Sequence, residues 1–331
     1  MVDSSRRIKV IIAMAIMYVV WGTTYLAIKV GLDAGLPPTL FAGVRQIPAA
    51  ALLFVIAAWR GASLRISAKD LRISVIIGIL LIVGGQYFTF LAEQSVPSGI
   101  SALVVALLPL WIALAESAFP DMQRPGRLGW VGLAIGFSGL GILLAPRLVG
   151  VSAGRSELAG LGLQVIGTWL WASGSIFSKR NPVKADTMVM TAYEMLAAGG
   201  VLLCLGTVLG EWPRFVVTPK AFGALAYLAV IGSAVAFTAF TYALQNLSAS
   251  KVMTYAYVNP VIAVFAGALA GRIGLVPPEP ITASTLIGMV VIVGGVALAI
   301  GSPTRPPRRP SGPPSQEPPA HSLIDAVPSE V

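Results

Sequence analysis

The stretch WGTTYLAIK, Trp21–Lys29, recurs as WASGSIFSK, Trp171–Lys179, in the other half of the chain. Each copy starts on a tryptophan set in an apolar run and ends on a lysine. The likeness continues on both sides. VPSGISALVVALLPL, around Pro109, matches LSASKVMTYAYVNPV, around Pro260, and GWVGLAIGFSGLGILLAP matches TLIGMVVIVGGVALAIGSP. An offset near 150 residues holds throughout. The chain therefore reads as two copies of one unit, residues 1–150 and 151–301, followed by a tail, 302–331.

Composition tells what the unit is made of. Hydrophobic residues make up 56% of the chain and charged ones 11%, against about a quarter charged in soluble domains. The apolar residues come in segments of about 20, enough to cross a hydrocarbon core of about 30 Å as helices. Lipid offers no partner to exposed backbone groups, so such segments must be helical. The expectation is an all-α polytopic membrane protein with ten transmembrane helices, near 8–31, 37–58, 71–93, 98–117, 128–145, 157–178, 187–209, 220–244, 250–270 and 281–300. PP, VPSG, RPGR, KRNP and VPPEP break the chain between them. Five spans per copy is an odd number, so the second copy enters the membrane from the opposite side. Two inverted five-helix repeats result, an architecture on which secondary transporters build a midplane site. From Ser302, SPTRPPRRPSGPPSQEPPAHS lacks the apolar area to fold and reads as a disordered cytoplasmic tail.

Loop cations set the orientation. With the N-terminus in the cytoplasm, the outer loops hold only Arg147, Arg155, Arg214, Lys220 and Arg272, while Lys29 and Arg45 stay in the membrane. The other lysines and arginines lie inside, which places both termini in the cytoplasm. The net charge of +9 is spread over segment ends, where lipid headgroups account for it; no nucleic-acid partner is expected. SSRRIKV resembles a twin-arginine export signal but reads as the retained anchor of the first helix. The sole cysteine, Cys204, rules out an internal disulfide and a cysteine metal site, and reads as a small apolar packer.

WGTTYLAIKVGLDAGLPPTLFAGVR, LAEQSVPSGISALVVALLPL, AYEMLAAGG, YAYVNPVIAVFAG and PEPIT together resemble the EamA family of the drug/metabolite transporter superfamily, over roughly residues 8–300. The likeness is greatest to its bacterial inner-membrane exporters. It implies ten helices, an inverted repeat, an inner-membrane location and export of small metabolites or amino-acid-like or drug-like solutes. The first copy departs from it at AESAFPDMQRPGR, where family members often carry a Gly-Glu turn.

The run TMVMTAYEMLAAGGVLLCLG carries a single charge, Glu194. It lies seven residues past Thr187, about 10 Å in from the cytoplasmic side; Arg45 lies seven past Pro38, about 10 Å in from the outer side. They hold matching places on spans two and seven. One reading is a static ion pair tying the copies together. The other puts both on a wet central cavity, Arg45 drawing a carboxylate or phosphate and Glu194 an amine or a coupling proton. Trp21 and Tyr25 share a helical face, as do Tyr255 and Asn259, and Trp171 is the counterpart of Trp21; all five are expected on the pathway. Pro109 and Pro260 are expected to bend spans four and nine as hinges. Trp111 falls mid-span with nothing to separate cavity from core. Lys29, Glu93 and Glu116 lie near helix ends, where snorkelling would satisfy them, and Gly132, Gly136, Gly139, Gly141 and the Gly-Gly pairs are expected at close helix contacts.

A secondary transporter working by alternating access accounts for these features. A membrane-embedded enzyme would need converging catalytic groups, yet the only histidine, His321, is in the tail and no zinc motif is present. A receptor or scaffold has no use for an inverted repeat. No phosphate-binding loop for ATP exists. The expected partners are a small-molecule solute, the lipid bilayer, protons as coupling ion and a second copy in a homodimer; neither cofactor nor metal is expected.

Overall fold

The computed structural model describes residues 4–96, 101, 104–119, 122, 124–148, 155–274 and 283–305. Most of the expected tail lies outside them. Its first residues do not hang free: Ser302 is buried, and Thr304–Arg305 (β2) pairs antiparallel with Arg124–Pro125 (β1), in the loop that departs from the family pattern.

The described chain is almost entirely helical. The first copy contributes α1 (Ser4–Asp33), α2 (Pro38–Val44), α3 (Gln46–Trp59), α4 (Ala68–Gly78), α5 (Tyr87–Ala92), α6 (Leu108–Ala118) and α7 (Arg127–Leu148). The second contributes α8 (Arg155–Arg180), α9 (Thr187–Val208), α10 (Pro219–Tyr227), α11 (Ala236–Asn246), α12 (Ala249–Val252), α13 (Tyr255–Arg272) and α14 (Ala283–Gly301). Among the described residues, six helical segments are long and apolar enough to cross a membrane: Ser4–Asp33, Pro38–Trp59, Ala68–Ala92, Thr187–Val208, Pro219–Asn246 and Ala249–Arg272. Leu108–Ala118 and Leu286–Ala299 are shorter apolar helices.

The copies share more than sequence. Ile79–Gln86 joins α4 to α5, and Leu228–Val235 joins α10 to α11; both wind as eight-residue π-helix at equivalent places. Phe88-Thr89 and Phe237-Thr238 follow the two stretches. A π turn adds a residue to the helical cycle and loosens its carbonyls, and such turns gather at functional sites.

The packing exchanges the first helices. α1 of the first copy lies against α13 and α11 of the second, while α8 of the second lies against the first π stretch, α5 and α6. α9 packs across α2, α3 and α4. α7 and α14 pair with each other almost backbone to backbone, Gly132 and Gly136 against Gly295, because without side chains two helices gain dispersion contact over their whole length. Cys204 does not pack in the core; it faces outward on α9.

Of the two prolines expected mid-helix, only Pro260 is found there. Pro109 occupies the first turn of α6, where no donor is needed; the break in this span lies just before, at Ala106–Leu107. Pro260 is inside α13, and its span is broken upstream at Met253–Thr254.

Candidate functional site

Trp21 of α1 and Trp171 of α8 meet. Trp21 and Trp171 stand edge to face at 5.5 Å, and Phe237, Phe240 and Tyr255 close round them, Tyr255 4.7 Å from Trp21 and Phe240 5.4 Å from Trp171. Each tryptophan also rests on the π stretch of the other copy. Trp21 Nε1 donates to the Gly232 carbonyl at 3.1 Å. The Trp171 ring covers Gly85 so closely that a Cβ there would come within 2.6 Å of it. The symmetry stops at the hydrogen bond: Trp171 Nε1 bonds no carbonyl of the first π stretch and is buried against the Tyr255 side chain.

This aromatic cluster floors a cavity whose non-atom space, open mouth included, is about 590 Å³. Trp21, Thr24, Tyr25 and Ile28 line it along one face of α1, and Gly85, Gln86, Thr89 and Phe90 along the first π stretch and α5. Val105, Leu108, Gln164, Thr168, Trp171, Tyr255 and Asn259 complete most of the wall. The cavity thus extends from the cluster toward the C-terminal end of α1.

On the other side of the floor, side chains bond the helices shut. Tyr18 and Thr254 share a hydrogen bond of 2.8 Å. Lys179 Nζ donates to the Leu244 and Leu247 carbonyls at 2.7 and 2.6 Å. The Ser250 amide donates to Glu116, and Arg6 Nε to Asn246. The N-terminal segment is therefore part of the bundle.

Arg45 is 3% exposed at the junction of α2 and α3. Its Nη2 donates to Gln86 Oε1 at 2.7 Å, its guanidinium lies 4.8 Å over the Phe90 ring, and its Nε has no partner. Gln46 Nε2 reaches the same Gln86 oxygen at 3.4 Å. Tyr25 lies beside Asn259, whose Oδ1 is buried and unbonded.

The expected meeting of Arg45 and Glu194 does not occur. Glu194 is 0% exposed, both its oxygens lack partners, and it is absent from the cavity wall. Its backbone is pressed against Gly78 of α4. Equal depth on equivalent spans does not make two residues neighbours, because α2 and α9 turn those side chains to different partners. Snorkelling holds for Lys29, half-exposed and 2.8 Å from Asp33. It fails for Glu93 and Glu116, each 1% exposed, since neighbouring helices cover both. Glu116 takes its bond from Ser250, whereas Glu93 is left unbonded beside Tyr25.

Arg45, Trp21, Tyr25, Trp171, Tyr255 and Asn259 do share the cavity. Sequence reasoning missed Gln86, Gln164, Thr89 and Thr168. Their signal was present, as amides and hydroxyls within apolar spans that mark either helix contacts or a wet wall. Trp111 belongs elsewhere: with Trp169 and Phe177 it lines a lateral groove between α6 and α8.

A family model described as the EamA-like transporter family matches residues 8–145 and 158–301. An inner membrane transporter of Escherichia coli K12, YedA, described as uncharacterized, is 36% identical over 282 residues, 85% of this chain and 89% of that protein. The uncharacterized transporter YoaV of Bacillus subtilis 168 is 25% identical over 87% of this chain and 96% of its own. Protein PecM of Dickeya dadantii 3937 is 27% identical over 84% and 90%. A chain in a solved crystal structure superposes with a TM-score of 0.71 at 23% identity, over 89% of this chain and 96% of that one, a likeness of fold alone.

Proposed function

The chain belongs to the EamA-like transporter family, and from that premise we propose that it exports small solutes across a bacterial inner membrane by alternating access. Ten helices form two inverted repeats with both termini in the cytoplasm. The cavity then lies on the outer side of the aromatic floor, and the bonded side chains beneath it form a closed cytoplasmic gate. The protein moves its solute without altering it, drawing on a gradient of solute or protons.

One observation carries this reading. Both copies bring the same parts, a tryptophan and a π stretch, to one cavity, yet only Trp21 bonds a carbonyl of the π stretch it rests on. Equivalent parts in unequal states are what an inverted repeat needs to expose one site to two sides in turn. In the opposite state the roles exchange: Trp171 bonds a carbonyl of the first π stretch and Trp21 is released.

The test is a metabolite-loading screen in proteoliposomes, with Arg45→Ala as control. Solutes moved by the native chain and lost from empty vesicles at the leak rate support transport. No solute moved above leak refutes it. Anionic solutes unaffected by Arg45→Ala, with neutral ones impaired, would remove Arg45 from the pathway.

A further inference from the structure

We infer that the cavity selects monoanions with an apolar body over zwitterions, cations and dianions; this deepens the transport reading of the same cavity and rests on it. The inference comes from counting charge along the wall. Among the described lining residues Arg45 alone is ionised, and the rest are aromatic, aliphatic, hydroxyl or amide. Lys29 and Asp33 bind each other at the end of α1 and cancel. The carboxyls of Glu93 and Glu194 lie outside the wall.

Arg45 is prepared for an anion. Gln86 takes one donor at 2.7 Å and Phe90 covers the guanidinium, so its position is set before a ligand arrives. The buried Nε has no protein partner. A cation held in a low-dielectric interior without a counter-charge is costly, and one carboxylate supplies that charge together with an acceptor for the free Nε–H. A dianion such as a phosphate monoester brings a second negative charge that no lining residue balances. A zwitterion brings an ammonium that no lining carboxylate receives. The rings of Trp21, Trp171 and Tyr255, set edge to face, offer an apolar floor to an apolar body. Asn259 Oδ1, unbonded, can accept from one polar substituent on that body.

The experiment holds the body constant and varies the charge. Binding of 3-phenylpropionate, phenylalanine, phenethylamine and 3-phenylpropanol to the full chain in nanodiscs is measured by calorimetry. The same four are followed for counterflow in proteoliposomes. The acid should bind at least about tenfold more tightly than the other three, the scale for one desolvated charge pair. Arg45→Gln should bring the acid down to the alcohol, Arg45→Lys should keep the order, and Glu93→Gln should leave it unchanged. The inference is overturned by an acid that does not bind, by an amine or zwitterion that binds as well, by an order that survives Arg45→Gln, or by one that Glu93→Gln reverses. Should Arg45→Gln not fold, the native charge series and Arg45→Lys decide alone. The expected binding order with no counterflow by any solute sinks the transport reading and leaves the inference standing. Counterflow that ignores solute charge does the reverse.

Discussion

Replacing Trp21 and Trp171 separately by phenylalanine tests whether the single indole bond distinguishes two states. Both changes remove similar ring area from one cluster, since each tryptophan touches Phe237 and Phe240. They differ in the N–H. Trp21→Phe strips a 3.1 Å bond from the Gly232 carbonyl in the π stretch, a cost of about 1 kcal/mol. Trp171→Phe removes a donor that bonds no π-stretch carbonyl in this state, so that cost is absent. The difference corresponds to a factor of about 5 in the ratio of outer-facing to inner-facing protein. Because Cys204 is the only cysteine, Cys204→Ser gives a clean background. Ile28→Cys, on the cavity wall, then reports access to a membrane-impermeant maleimide added outside. Labelling should be about fivefold slower in Trp21→Phe than in Trp171→Phe, with both eluting as folded protein. Equal rates, or the slower rate in Trp171→Phe, would refute the assignment of the bond to one state.

Other outcomes follow from single contacts. A Cβ at Gly295 would meet the Gly132 carbonyl and Gly136 Cα at 2.8 Å, whereas one at Gly294 meets nothing within 4 Å. Gly295→Ala should therefore cost about 1–3 kcal/mol by overpacking and Gly294→Ala nothing or a small gain, read as thermal midpoints in micelles. Glu211 caps the start of α2, accepting from Thr39 Oγ1 and the Leu40 amide at 2.8 Å each. Glu211→Ala should cost about 2–3 kcal/mol, and Glu211→Gln less, by the same measurement. Glu194 has neither a cavity position nor a bonded partner. If it carries the coupling proton, Glu194→Gln should fold normally and flatten the dependence of transport rate on pH; an unchanged rate and profile would remove protons from Glu194.

The repeat, the helical class and the general run of the spans were legible in the chain because lipid imposes them residue by residue. A helix needs about 20 apolar residues to cross, and a duplicated unit shows as recurring text such as WGTTYLAIK and WASGSIFSK. That Trp21, Trp171, Tyr255 and Arg45 would matter was legible too, since polar and aromatic groups deep in apolar runs need a reason to be there. Contact between helices is another matter. No periodicity announced that α1 would pack into the second copy and α8 into the first, that both tryptophans would rest on π turns, or that Arg45 would find Gln86 and not Glu194. Depth in the membrane is a one-dimensional quantity and can be counted along the sequence. Which faces of the helices meet depends on rotation and crossing, settled by the packing of all the helices at once. Only the assembled fold decided that the cavity would hold one charge.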